Sequence, residues 1–219
     1  RIGKGNADRR WDVLPQQPAL AYDIAQNRLI ATAAVLQPPV FDAANPAMAF
    51  GAYGALVGNQ LTRAVDARGS LVDAQGQLRS WWTAEDRAAW TQLGQRVATQ
   101  YAGYPYPGVA NAKVDGQLVK DEALSDLAGL ELAVAAWNRV QPAAAPAQQQ
   151  ALFTAWSQLW GQQVTPATAA ERRLADIHPP GAVRGNAPLA NLPAFGAAFG
   201  CSAGQPMQRT EAEQVRVWR

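Results

Sequence analysis

The hydrophobic positions of this chain fall into two rhythms. Between Leu20 and Phe41, "LAYDIAQNRLIATAAVLQPPVF", apolar residues form short runs on either side of Ala25-Gln26-Asn27. Runs like these around a turn-prone tripeptide predict two short strands, and Pro38-Pro39 then ends regular structure. Most of the chain beyond Phe41 has a helical period. "PAMAFGAYGALVGNQLTR", from Pro46 to about Arg63, predicts a helix with Asn45 as N-cap and Pro46 in the first position. Its many small residues predict close packing on all sides. Thr83 opens "TAEDRAAWTQLGQRVATQY", and with Asp86 three residues on it forms a weaker relative of the capping box. Further helices are predicted from about Lys120 to Arg139, from about Ala147 to Trp160 and from about Pro166 to Ala175. Residues 1–18, 66–82 and 101–118 read as irregular or turn-rich, and "QPAAAPAQQQ" as a low-complexity surface loop. The Gly/Pro-rich tail from Asp176 predicts one short helix near Leu192 to Phe199. The sum is a mainly α domain with a small β element.

Composition narrows the class. With 219 residues, 48% of them hydrophobic, the chain can bury one substantial core. A net charge of +2 with scattered basic residues argues against nucleic acid as a partner. No apolar stretch approaches the roughly 20 residues of a membrane span, so no transmembrane segment is expected in this chain. The sequence opens on Arg1 with no initiator Met, which reads as a processed or truncated piece. The count that constrains chemistry most is one His, His178, and one Cys, Cys201. A His-Glu-x-x-His zinc site takes two imidazoles from one helix, and finger-type sites take four Cys/His ligands; this chain can build neither. Cys201 has no activating charge beside it in sequence and reads as an inert thiol. Trp81-Trp82 and the aromatics of "YAGYPY" read as packing. Glu131, Trp137, Trp156 and Trp160 read as scaffold.

Four ordered segments carry a resemblance. They are "LQPPVF", "GALVGNQLTRAVDARGSLVDAQGQLRSWWTAEDRAAW", "VDGQLVKDEALSDLAGLELA" and "DIHPPGAVRGNAPLANLPAF" with its continuation to Trp218. Together they resemble the neprilysin and endothelin-converting-enzyme family of zinc metallopeptidases over nearly the whole chain. The resemblance implies a thermolysin-like (zincin) catalytic-domain fold. In that family two His on one helix and a Glu on a second hold zinc, and a Glu on the first helix activates the zinc-bound water. Matched position by position, the first zinc His corresponds to Asn59, the general base to Gln60 and the second His to Arg63. Asn is a poor zinc ligand, Gln60 cannot accept a proton, and Arg63 sets a permanent cation where a dication would sit. Glu122 matches the third ligand and Asp126 the carboxylate that orients a zinc-bound His. A new cation where the metal charge is lost predicts a salt bridge from Arg63 to Glu122 or Asp126.

The resemblance also implies a peptide groove. His178 matches the oxyanion-stabilising His, and Arg184 the Arg that holds the substrate backbone. The family's Asn-Ala-aromatic-aromatic strand reads Ala19-Leu20-Ala21-Tyr22 here, so its Asn is gone and Tyr22 is the aromatic that remains. No catalytic residue is expected, zinc is expected to be lost, and no other cofactor is implied. The expected function is that of a pseudopeptidase that keeps a peptide groove or serves as a scaffold. The alternative is an active zinc metalloendopeptidase or other hydrolase with an atypical site, for which Glu122, Asp126 and His178 are the groups at hand. The resemblance further implies that residues 1–219 form the C-terminal domain of a longer protein, partnered by an N-terminal helical domain and by a peptide or protein ligand. It also implies a place outside the cytoplasm, periplasmic or at the cell surface in a bacterium.

Overall fold

A computed structural model describes residues 13–218. The predicted hairpin is present. Strand β1, Leu20–Asp23, pairs antiparallel with β2, Arg28–Ala31, with Ala21 opposite Ile30 and Tyr22 opposite Leu29. Asn27 takes the left-handed backbone that closes the turn. Thr32 ties the hairpin's open end, its hydroxyl donating to the Gln17 carbonyl at 2.6 Å.

The helix predicted from Pro46 to about Arg63 is built in three stages. Helix α1, Pro46–Ala49, starts at Asn45, whose side chain accepts from the Met48 N–H at 3.3 Å. A π-helical turn, Phe50–Gly54, comes next, and then α2, Ala55–Thr62. The wide turn shifts the phase of the helix, and the two halves meet different neighbours, α1 packing on the helix of residues 146–159 and α2 on that of residues 116–140. Packing is not close all round, because Leu61 faces solvent.

Helix α3, Ala84–Tyr101, starts at a reciprocal capping box. The Thr83 hydroxyl accepts from the Asp86 N–H, and the Asp86 carboxylate accepts from the Thr83 N–H. Helix α4, Gly116–Val140, begins four residues before the predicted Lys120. Asp115-Gly116 looks like a turn in sequence, but Asp115 caps the Gln117 and Leu118 N–H groups. Gly116 is required there for space, since a Cβ would lie 1.9 Å from the Ala98 carbonyl oxygen. Helices α5, Pro146–Leu159, and α6, Pro166–Ala175, fall where the periodicity places them. The tail holds two helices rather than one: α7, Gly181–Asn186, and α8, Pro193–Phe199.

Helix α4 is the centre of the molecule. Its buried residues include Ala123, Leu124, Leu127, Leu130 and Trp137; α2, α3 and the π-helical turn pack against it, and α5 packs on α1 and that same turn. The core continues through Tyr101, Leu152, Phe153 and Trp156. The C-terminal end of the chain closes over it. Glu131 accepts from the Val217 and Trp218 N–H groups, and the Trp218 indole N–H donates to the Ala128 carbonyl at 2.9 Å. The result is a mainly helical body with one hairpin at the edge of the α2 face.

Candidate functional site

The site lies where α2 crosses α4. At the crossing Gly58 faces Gly129. A Cβ on Gly58 would lie 2.7 Å from the Gly129 carbonyl oxygen, and a Cβ on Gly129 would lie 2.4 Å from the Asn59 nitrogen. Backbones this close bring short side chains within reach of one another. Asn59 and Arg63 stand at i, i+4 on α2, and Glu122 and Asp126 at i, i+4 on α4, so each pair shares one helix face. The helices run antiparallel, so Asn59 meets Asp126 and Arg63 meets Glu122.

Two linked networks fill this face. In the first, the fully buried Asp126 carboxylate accepts from Asn59 Nδ2 at 2.8 Å and from Arg184 Nε and Nη2 at 2.6 and 2.9 Å. Burial pushes the Asp126 carboxyl above its ordinary range, and the Arg184 guanidinium pulls back against it. The Asn59 carbonyl oxygen accepts from Gln60 Nε2 at 3.0 Å, and Gln60 Oε1 accepts from the Tyr22 backbone N–H at 3.2 Å. Gln60 must donate with one atom and accept with the other, which a glutamate carboxylate cannot do. In the second network, Arg63 Nη2 contacts Glu122 Oε2, and Arg63 Nη1 lies 3.6 Å from Asp66. Burial opposes the Arg63 charge, but its hydrogen bond to Glu122 and the fields of Glu122, Asp66 and Asp126 prevail and raise its pKa. Asp66 in turn holds the loop after α2 by accepting from the Arg68 and Gly69 N–H groups at 2.8 Å.

Arg184 and His178 close the site from the tail. Arg184 lies on α7, which hangs from α5: the Trp156 indole donates to the Arg184 carbonyl and Ser157 donates to the Gly185 carbonyl. The guanidinium carbon of Arg184 sits 3.6 Å from the centre of the Trp160 ring. His178 is half-exposed, with Nδ1 3.0 Å from Asp176 and Nε2 3.6 Å from Glu122. Burial works against the Asp176 anion, but the backbone N–H and ring of His178 outweigh it and hold the carboxyl below its ordinary range. Beside these residues opens a cavity of about 820 Å³ that includes Trp160, His178 and Arg184 in its lining.

The structure thus brings together Asn59, Gln60, Arg63, Glu122, Asp126, His178 and Arg184, with the Tyr22 backbone at the rim. Of the two partners expected for Arg63, Glu122 is the one it contacts. Asp126 is taken by Asn59 and Arg184. The Tyr22 side chain points along the hairpin to Asn27 and not across the site. Trp160, expected as scaffold, is instead a wall of the cavity, and Asp176 is a member of the site that sequence reasoning misses. The Asp-x-His spacing is the available signal for Asp176, since a carboxylate two residues before His178 can accept both its backbone and ring N–H.

The donor set does not fit zinc. The amide of Asn59 turns its N–H₂ to a carboxylate, a guanidinium lies on Glu122, and the single imidazole is on the tail. Among the described residues no group of three or more His, Cys, Asp and Glu side chains could hold a metal ion. The fold and the crossing helices define a thermolysin-like metallopeptidase domain whose zinc ligands have been exchanged for an amide and a guanidinium.

Comparison with known proteins agrees with that class. The profile of peptidase family M13 matches residues 21–215, and the chain belongs to this family. Neprilysin-1 of Caenorhabditis elegans is 32% identical over 209 residues, 90% of this chain and 27% of that protein. Endothelin-converting enzyme 1 of Homo sapiens is 29% identical over 219 residues, 95% of this chain and 28% of that protein. The chain therefore spans just over a quarter of these relatives. Among solved structures, the open state of the Mycobacterium tuberculosis zinc metalloprotease superposes with a TM-score of 0.89 at 29% identity, over 95% of this chain and 34% of that one. PepO from Lactobacillus rhamnosis gives 0.85 at 30% identity, over 95% of this chain and 32% of that one. Among the described residues no helix is long and apolar enough to cross a membrane.

Proposed function

We propose that this domain is a catalytically inactive peptidase relative, held together by ion pairs where its kin hold zinc, which binds a peptide without cleaving it. The observation that carries this reading is the contact of Arg63 with Glu122. Glu122, at the surviving zinc-ligand position, is engaged by a permanent cation, and the general-base position holds Gln60, an amide tied to Asn59 and Tyr22. No side chain in the arrangement can both polarise a peptide carbonyl as a Lewis acid does and deprotonate water.

A peptide would lie along β1 and meet His178 and Arg184 beside the cavity, with Tyr22 at the rim. The Tyr22 N–H is already committed to Gln60, and Arg184 is committed to Asp126, so the grip differs from one built on free groups. We further propose that residues 1–219 form the C-terminal domain of a longer protein, docked against a helical N-terminal domain. The short fraction of its relatives that the chain covers supports this. The family resemblance supports a place outside the cytoplasm. The test is to incubate the full-length protein with a peptide library and follow both binding and cleavage. Peptide binding with no cleavage, unchanged by chelator, is expected. Cleavage that chelator abolishes would refute the reading.

A further inference from the structure

The hairpin has an outer edge, and Gln60 closes part of it. Among the described residues the sheet has two strands, so β1 has a strand on one side only. At the open end of the hairpin the Thr32 N–H donates to the Ala19 carbonyl at 3.0 Å. Antiparallel pairing alternates, so Ala21 and Asp23 also turn their backbone groups to β2, while Leu20 and Tyr22 turn theirs to the outer edge. On that edge the Tyr22 N–H is taken, since Gln60 Oε1 accepts from it at 3.2 Å. Among the described residues no hydrogen bond from outside the hairpin reaches the Leu20 N–H or the Leu20 and Tyr22 carbonyls.

The direction of the Gln60 amide is set from inside the helix crossing. The Asp126 carboxylate, gripped by Arg184, accepts from Asn59 Nδ2, which turns Asn59 Oδ1 the other way. That oxygen takes Nε2 of Gln60 at 3.0 Å and leaves Oε1 for the strand. Gln60 therefore presents a half-buried amide carbonyl of fixed orientation to the outward N–H of Tyr22. An added peptide strand would place a backbone carbonyl against that same N–H.

We propose that Gln60 is a built-in competitor for the peptide: its side-chain carbonyl holds the Tyr22 N–H, and a peptide strand completes its pairing with β1 only by displacing it. The Leu20 groups are open to the peptide from the start, and the Tyr22 N–H is gained only when the Gln60 side chain swings away. This inference rests on the peptide-binding reading above and adds the residue that restrains it.

A library of N-acetylated pentapeptide amides, tested on the full-length protein and on its Gln60→Met variant, measures the competition. Met keeps the length of the side chain and removes both hydrogen bonds. The peptides that bind the parent should bind Gln60→Met about fivefold more tightly, the worth of one net hydrogen bond. Amide hydrogen exchange gives a second readout. The Tyr22 N–H should be protected in the free parent, exchange fast in free Gln60→Met and be protected again once peptide is bound. A purely structural role for Gln60 would lower stability on substitution without tightening binding. Gln60→Ala leaves room for water at Asn59 Oδ1, should show the same gain and serves if the Met variant fails to fold. Equal or weaker peptide binding by the folded variants, or a Tyr22 amide unprotected in the free parent, would overturn the inference and leave the peptide-binding reading standing. If no peptide binds parent or variants, both readings fall.

Discussion

Arg63 supplies one positive charge to a face that carries Glu122 on the opposite helix and Asp66 on its own loop. Its side chain and that of Glu122 are largely withdrawn from water, at 21% and 8% exposure, so the pair is worth more than a surface ion pair but less than a sealed one. Arg63→Met leaves the buried Glu122 with only the half-exposed His178 ring beside it, at 3.6 Å, and a loss of about 2–3 kcal/mol is expected in chemical denaturation. Adding Glu122→Gln to that variant should recover a good part of the loss, since a neutral amide is cheaper to bury than a lone carboxylate. An Arg63→Met protein as stable as the parent would show that the contact carries no structural weight. The residue changes themselves were fully legible in the sequence, because each falls at a position the family motif defines. The division of partners was not. Whether Arg63 takes Glu122 or Asp126 depends on the helix crossing, and Arg184, 58 residues from Asp126 along the chain, settles it by claiming Asp126.

At the scale of elements, the site is set by the distance between α2 and α4. Gly129→Ala places a Cβ 2.4 Å from both the Ala55 carbonyl oxygen and the Asn59 nitrogen, so the helices must part. The expected cost is about 2–4 kcal/mol, in the range of overpacked cores and above most single changes. The Asn59–Asp126 contact should weaken with it. An unchanged melting temperature would mean that the close approach is not required. Helix α3 gives a pH-dependent test. Its cap holds the Asp86 carboxyl below the ordinary range through the Thr83 N–H and hydroxyl. A depressed folded pKa contributes stability above the unfolded carboxylate pKa and loses it as pH falls through the folded value. The stability difference between the parent and Asp86→Ala should therefore be present at neutral pH and vanish in acid. A difference that persists in strong acid would assign the effect to something other than the carboxylate. The hairpin, α3, α5 and α6 could all be read from period, caps and turn residues. The π-helical turn, the early start of α4 and helix α7 could not. Gly116, Gly181 and Gly185 count against helix locally, and what holds α7 is tertiary: the Trp156 and Ser157 side chains bonding its carbonyls.

At the scale of the molecule, the metallopeptidase frame is intact and the ligands are changed. Glu122 and Asp126 still face α2, and the spacing of positions 59 and 63 is that of two imidazoles on one helix face. Asn59→His, Gln60→Glu and Arg63→His made together should therefore produce a protein that takes up about one equivalent of zinc, with three protein ligands and an open fourth position. Failure of the triple variant to bind zinc while folded would show that the frame has drifted as well as the ligands. The parent protein offers the most direct measurement: its metal content after incubation with zinc and removal of the excess. The geometry predicts less than about a tenth of an equivalent, since Arg63 and the Asn59 amide stand where ligands would be needed. Near one equivalent of tightly held zinc, lost on Glu122→Ala, would contradict the central claim that ion pairs have replaced the metal.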